Sequence, residues 1–213
     1  MLIISIFQGR KIGGKWSFSV LPSFFSISSI SLLYLIGPTY EEQIFIFLSS
    51  VIYYLALFGA YRLRHYSEDK TAKGMIMAAT ASTIFFTYTS FYGIYLNFLV
   101  PLYILMIAYL VVTLLVSYQH FSIIKKGSDK LSVWVYSFLL SLAMVELIWT
   151  MNFWPFGYLT TGAIALILYY VLWDIIQSYF LKLPSRKRVM ANTILFSVLI
   201  ALILLSSKWI PVI

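Results

Sequence analysis

The chain has 213 residues, of which 62% are hydrophobic, 19% aromatic and only 10% charged, with a formal net charge of +8. A soluble domain carries about 25% charged residues, so this composition leaves too little polar side chain for a solvated shell. It excludes an ordinary soluble globule, and the basic balance does not point to nucleic acid, because the cations sit in short loops between apolar runs, where membrane topology explains them. Cysteine is absent, which excludes disulfides, thiolate metal ligands and cysteine nucleophiles.

Residues 1–16 read as a cytoplasmic or interfacial lead-in. Leu2 to Phe7 is a short apolar run without a preceding basic residue, and Gly9-Arg10-Lys11 follows without a small-residue cleavage pattern. Beyond it, seven stretches reach the roughly 20 mostly apolar residues that a membrane-spanning helix needs. They cover 17–37, 43–61, 75–95, 98–118, 131–153, 156–180 and 189–207, with a tail over 208–213. The first is the weakest, since it holds seven Ser residues and Pro22; without it the count falls to six. The expected fold is therefore all-α: one polytopic integral membrane bundle of seven transmembrane helices.

The loops fix an orientation. Arg10, Lys11 and Lys15 precede span one, and Glu41 and Glu42 follow it. Arg62, Arg64, Lys70 and Lys73 follow span two; Lys125, Lys126 and Lys130 follow span four; Lys182, Arg186, Lys187 and Arg188 follow span six. Only Lys208 lies on the other side, so fourteen of fifteen basic residues share one face. Short basic loops stay cytoplasmic, which puts the N-terminus inside and the C-terminus outside, in a bacterial cytoplasmic membrane. Trp16, Trp134 and Trp173 mark the inner boundary, and Trp149, Trp154 and Trp209 the outer one. Spans one to three and five to seven share an orientation, which permits a parallel repeat, but no internal sequence match accompanies it.

Two acidic residues fall inside spans. Glu146 lies about 10 Å below the outer end of span five, too deep for a short side chain to reach water, so it must be protonated, paired or facing a polar cavity. A tight hairpin of spans five and six brings it level with Gly162 and Ala163, with the Thr160 and Thr161 hydroxyls about one turn above. Trp149 and Asn152 continue toward the surface as the rim of an outward pocket. Asp174 lies near the inner end of span six with Gln177 on its own helix and Asn192 of span seven at similar depth. The two acids are separated by about 12 Å in depth, which excludes a glycosidase-like pair or a shared metal. Glu146 is the stronger functional candidate of the two, and Asp174 reads as an inner-edge residue neutralised by Lys182 and the Arg186-Lys187-Arg188 run.

Span three carries Thr80, Thr83, Thr87 and Ser90 on one face, and span one Ser19, Ser23 and Ser26. Such stripes either line a polar path or bond to their own helix, and the second reading is favoured. His65 and His120 fall in inner loops, with neither metal-binding spacing nor neighbouring carboxylates. Phosphate-binding loops, nucleophile elbows and a span-seven Schiff-base lysine are absent. No cofactor or metal is expected, and an enzyme is disfavoured. The best reading is a small permeation or transport protein for protons, a cation or a small polar solute; the alternative is a non-enzymatic assembly subunit of a membrane complex. Expected partners are the bilayer, anionic head groups at Arg186, Lys187 and Arg188 at about 1 kcal/mol each, and a membrane-protein partner or a second copy.

Overall fold

Among the described residues eight helices follow one another: α1 Leu2–Gly13, α2 Ser17–Ile36, α3 Tyr40–His65, α4 Lys70–Phe98, α5 Leu102–Ile124, α6 Lys130–Met151, α7 Tyr158–Phe180 and α8 Arg186–Ser206. The computed structural model describes residues 2–14, 16–36, 40–66, 68–98, 100–124, 129–181 and 186–206, with backbone alone for Leu2, Ile3, Ile4, Ser17, Ile124, Arg186 and Arg188. All seven expected spans are helices, shifted by a few residues at their ends. The chain divides into two compact units, residues 1–91 and 92–213, with the boundary inside α4.

Six of the described helices are long and apolar enough to cross a membrane: α2, α3, α5, α6, α7 and α8. The protein is an integral membrane protein with a helical, multi-pass architecture. The helix outside that set is α4, not the serine-rich α2 that the sequence made the weakest. At 29 residues, α4 has a length of about 43 Å, ample for a bilayer, but its hydropathy is diluted by hydroxyl side chains. Those hydroxyls are buried: Thr80, Thr83, Thr87, Thr89 and Ser90 all lie inside the protein. Four of them donate to carbonyls of their own helix, Thr80 to Ile76 at 2.8 Å, Thr83 to Ala79 at 2.7 Å, Thr87 to Thr83 at 2.6 Å and Ser90 to Thr87 at 3.1 Å. Those four are satisfied by their own helix, which lets a polar helix sit among apolar neighbours, while the buried Thr89 hydroxyl has no partner among the described residues.

In the first unit, α1 replaces the expected lead-in. Gly14, at φ 74°, takes the left-handed conformation that glycine adopts without strain, and its N–H closes on the Arg10 carbonyl at 2.9 Å. The chain then doubles back, so α1 packs on both α2 and α3. Ser5 meets Ser26 at 2.9 Å, and Ser19 Oγ donates to the Ile6 carbonyl at 3.0 Å. Gly9 permits this approach: a Cβ there would lie 2.8 Å from the Ser19 Cα. Arg64 of α3 donates to the Lys11 carbonyl at 2.9 Å, satisfying one of the carbonyls that a helix leaves open at its C-terminus. Pattern reading missed α1 because twelve residues are too few for a span, and its partners are serines and glycines with no hydrophobic period.

The α3–α4 turn is a polar knot. Asp69 accepts the Thr71 and Ala72 N–H groups at 2.9 and 3.2 Å, capping α4, and pairs with Arg62 at 2.6 Å. Desolvation works to raise the Asp69 pKa, but the Ala72 N–H, the Arg62 charge and the Thr71 N–H together outweigh it and hold the carboxyl below the usual aspartate value.

In the second unit α5 packs along α6, α6 on α7, and α7 on α8. The inward face of α6 is Val133, Ser137, Leu140, Ser141, Met144, Ile148 and Met151, a spacing of three and four residues that defines one stripe. On α7 the small residues Thr161, Gly162 and Ala165 are buried, as are Tyr169 and Trp173. Ser117 of α5 meets the Tyr169 hydroxyl at 3.2 Å, and Phe180 packs its ring against Phe121 at 5.3 Å and Tyr136 at 5.4 Å. By contrast α8, the most apolar candidate span, has none of its apolar window buried; it meets α7 through Phe196 on Tyr170 and through Asn192 on Asp174.

Candidate functional site

The structure places the two acids of the expected spans in opposite environments. Glu146 is exposed on the outer face of α6. The reason is helical geometry: it lies about 160° around the helix from Met144 and Ile148, both of which are buried. Thr161 and Gly162 are buried, so the small-residue approach on α7 does not receive the Glu146 carboxyl. Thr161 is instead hydrogen-bonded to the Tyr92 hydroxyl. Thr160 lines a shallow hollow of about 380 Å³ with Leu199, Leu202, Ile203 and Ser206 of α8. Asn152 is the C-cap residue of α6, its N–H on the Ile148 carbonyl at 3.0 Å, and Trp149 sets its ring edge-on to Phe153 at 5.5 Å. The residues expected to surround Glu146 are therefore not gathered around it.

Asp174 sits in the opposite environment, with only 7% of its surface exposed. Its Oδ2 accepts the Asn192 side-chain N–H at 2.8 Å, which ties α7 to α8. Gln177, one turn along on α7, has a buried Oε1 without a hydrogen-bond partner. Three of the eight residues singled out from sequence, Asp174, Gln177 and Asn192, thus stand at one end of the second unit. The Lys182 and Arg186-Lys187-Arg188 run expected to neutralise Asp174 lies largely outside the described residues; of its side chains only that of Lys187 is described, and it is exposed.

His120 is the residue that sequence reasoning missed here. Assigned to a loop, it belongs to α5, which continues to Ile124, and it is buried with Nδ1 unpartnered. Its ring meets Trp173 edge-on at 4.9 Å, next in sequence to Asp174. Trp173, expected as a headgroup anchor, is therefore a buried packing residue. The adjoining Gln119 is buried too. The signal was present in Tyr118-Gln119-His120: polar residues continuing the helical face of Thr113, Val116 and Ser117, all buried.

Chemically, this end of the second unit combines one carboxylate, one imidazole and two amides inside apolar helices. Buried polar atoms without a protein partner are where ordered water or an ion is accommodated. A carboxylate with such neighbours can hold a proton or a small cation.

The first unit carries a separate cleft of about 400 Å³ between α1, α2 and α3. Its apolar wall is Phe25, Ile30, Leu33, Phe45 and Ile46, and its polar groups are Ser5, Gln8, Ser26, Ser29, Ser49, Ser50 and Tyr53. Among the described residues no charged side chain lines it, so this lining suits an uncharged amphiphile better than an ion.

A family model described as Protein of unknown function (DUF5656) matches residues 6–206. The chain belongs to that family. Its match runs from α1 through α8 and so takes in both units and the Asp174 end. No curated protein matches, and no solved structure matches.

Proposed function

We propose that this protein moves a proton, a small cation or a small polar solute across the membrane, with Asp174, Asn192, Gln177 and His120 as the polar station on the path. The observation carrying this reading is the enclosure of Asp174: a carboxylate inside apolar helices, bonded to Asn192 at 2.8 Å, with unpartnered polar atoms on Gln177 and His120 at the same end of the unit. Ionisable side chains within spanning helices are costly to keep and mark ion or substrate pathways more than any other role. The alternative of a tying residue would be served as well by a neutral amide at position 174.

The orientation proposed with it follows the loop charges: N-terminus cytoplasmic, C-terminus external, in a bacterial cytoplasmic membrane. In that frame α4 is a seventh crossing, its hydroxyls turned to protein, and Lys187 with Arg186 and Arg188 contacts anionic head groups near the station. The assembly-subunit reading is supported by a different observation, the exposed Glu146, and does not exclude the first.

The test is reconstitution. Proteoliposomes carrying a trapped pH dye, and in parallel a cation-sensitive dye, are to show flux with the natural sequence that falls at least tenfold with Asp174→Asn at equal protein density. Flux unchanged by Asp174→Asn would remove the carboxylate from the path.

A further inference from the structure

The serines of α2 and α3 mostly bond to their own helices. Ser23, Ser26, Ser28, Ser29 and Ser31 of α2 and Ser50 of α3 each donate to a carbonyl three or four residues back, at 2.7–3.2 Å. Ser49 of α3 does not. It is only 9% exposed, and its hydroxyl has no hydrogen-bond partner among the described residues. An enclosed hydroxyl without a partner is costly, and Ser49 stands in the wall of the cleft between α1, α2 and α3. Rotation about χ1 carries its Oγ between staggered positions, so the hydroxyl is free to turn to a guest.

The rest of the wall restricts what that guest can be. Ser5 and Ser26 meet at 2.9 Å, and the Tyr53 hydroxyl lies 3.3 Å from both Ser5 Oγ and Gln8 Oε1. Each hydroxyl has one proton; that of Ser26 goes to the Pro22 carbonyl at 2.8 Å, and those of Ser5 and Tyr53 have acceptors within this group. The proton left to offer is that of Ser49, so the guest must bring an acceptor. A carboxylate would need a cation to offset its charge away from water, and no described lining side chain is charged. A plain hydrocarbon would suit Phe25, Leu33 and Phe45 but leave Ser49 unpaired. An uncharged carbonyl oxygen on an apolar body meets both demands. At about 400 Å³, the space falls at the lower end of small-molecule pockets.

We propose that this cleft binds a neutral ester or ketone with an apolar chain, its carbonyl oxygen accepting the Ser49 hydroxyl proton. The site belongs wholly to the first unit and stands or falls independently of the Asp174 station.

The probe is methyl dodecanoate with a diazirine on its chain, photolysed with the full chain in dodecyl maltoside, a detergent without a carbonyl, and mapped by mass spectrometry. Adducts are expected on the α2 and α3 peptides that line the cleft. Unlabelled methyl dodecanoate should compete about fivefold better than dodecane, dodecanoate or dodecylammonium, the size of one hydrogen bond. Ser49→Ala should weaken the ester about fivefold and leave dodecane unchanged, a split that general loosening of the fold would not produce. Ile46→Trp, filling the cleft from an exposed position, should abolish labelling, while Ile44→Trp, exposed on the same helix outside the lining, should not. Adducts spread evenly over both units, competition by dodecane or dodecanoate equal to that of the ester, ester binding unchanged by Ser49→Ala, or labelling that survives Ile46→Trp would each overturn the proposal.

Discussion

Asp174 and Glu146 are the same chemistry in two settings. Both are carboxylates in apolar helices of one unit, α7 and α6, yet one is enclosed and bonded to Asn192 while the other faces outward with no described side-chain partner. An enclosed acid can be reached by an ion without exposing it to lipid. The difference comes from helix phase: α6 buries the stripe through Met144 and Ile148, and Glu146 is about 160° away on its far side, whereas Asp174 lies on the packed side of α7 beside Trp173.

The sharpest way to break this contrast is to exchange the effects. Asp174→Asn should cost at least tenfold in flux, measured with dye-loaded proteoliposomes. Glu146→Leu should hold flux per chain at equal density within a factor of two. Asn192→Leu tests whether Asp174 is oriented through α8. Losing that hydrogen bond should cost roughly 1.5–3 kcal/mol, visible as a lower unfolding temperature and several-fold slower flux. A smaller effect is expected at Ser117→Ala, where removing the bond to Tyr169 should cost about 0.6 kcal/mol, the average for an interhelical hydrogen bond in a membrane, read in the same unfolding assay.

Asp69 supplies a third carboxylate as a control, since it lies in a turn and its pKa is lowered by the Ala72 and Thr71 N–H groups and Arg62 against the opposing pull of desolvation. A depressed folded-state pKa means that its stabilisation is present above the unfolded value of about 4 and is lost as pH falls through the lower, folded value. Hydrogen exchange at the first turn of α4 should therefore accelerate, beyond its intrinsic pH dependence, only below about pH 4. Asp69→Asn should remove that step and leave flux alone.

Much of the architecture was legible. Hydrophobic runs located all seven expected helices because an apolar stretch of spanning length has few alternatives. The packing of α6 on α7 and the approach of Asn192 to Asp174 also followed from residue spacing. Helix phase did not. Whether Glu146 points to protein or lipid depends on which stripe of α6 packs, and α6 is apolar all round, so periodicity gives no direction. For the same reason α8 and α4 mislead in opposite ways: the most hydrophobic span is the least buried, and the polar-looking α4 buries Thr83, Thr87 and Ser90 because their hydroxyls bond to their own backbone. In a bilayer the hydrophobic side faces out, and hydropathy measures lipid exposure as much as core. His120 and α1 were missed through boundaries, one by ending α5 early and the other by requiring spanning length of a helix that reaches only part-way.

The most direct test of the division between the two acids is one reconstitution series with the natural sequence, Asp174→Asn and Glu146→Leu at matched density, read by ion flux. Flux lost with Asp174→Asn and kept with Glu146→Leu is the expected result. Flux lost with Glu146→Leu and kept with Asp174→Asn would contradict it.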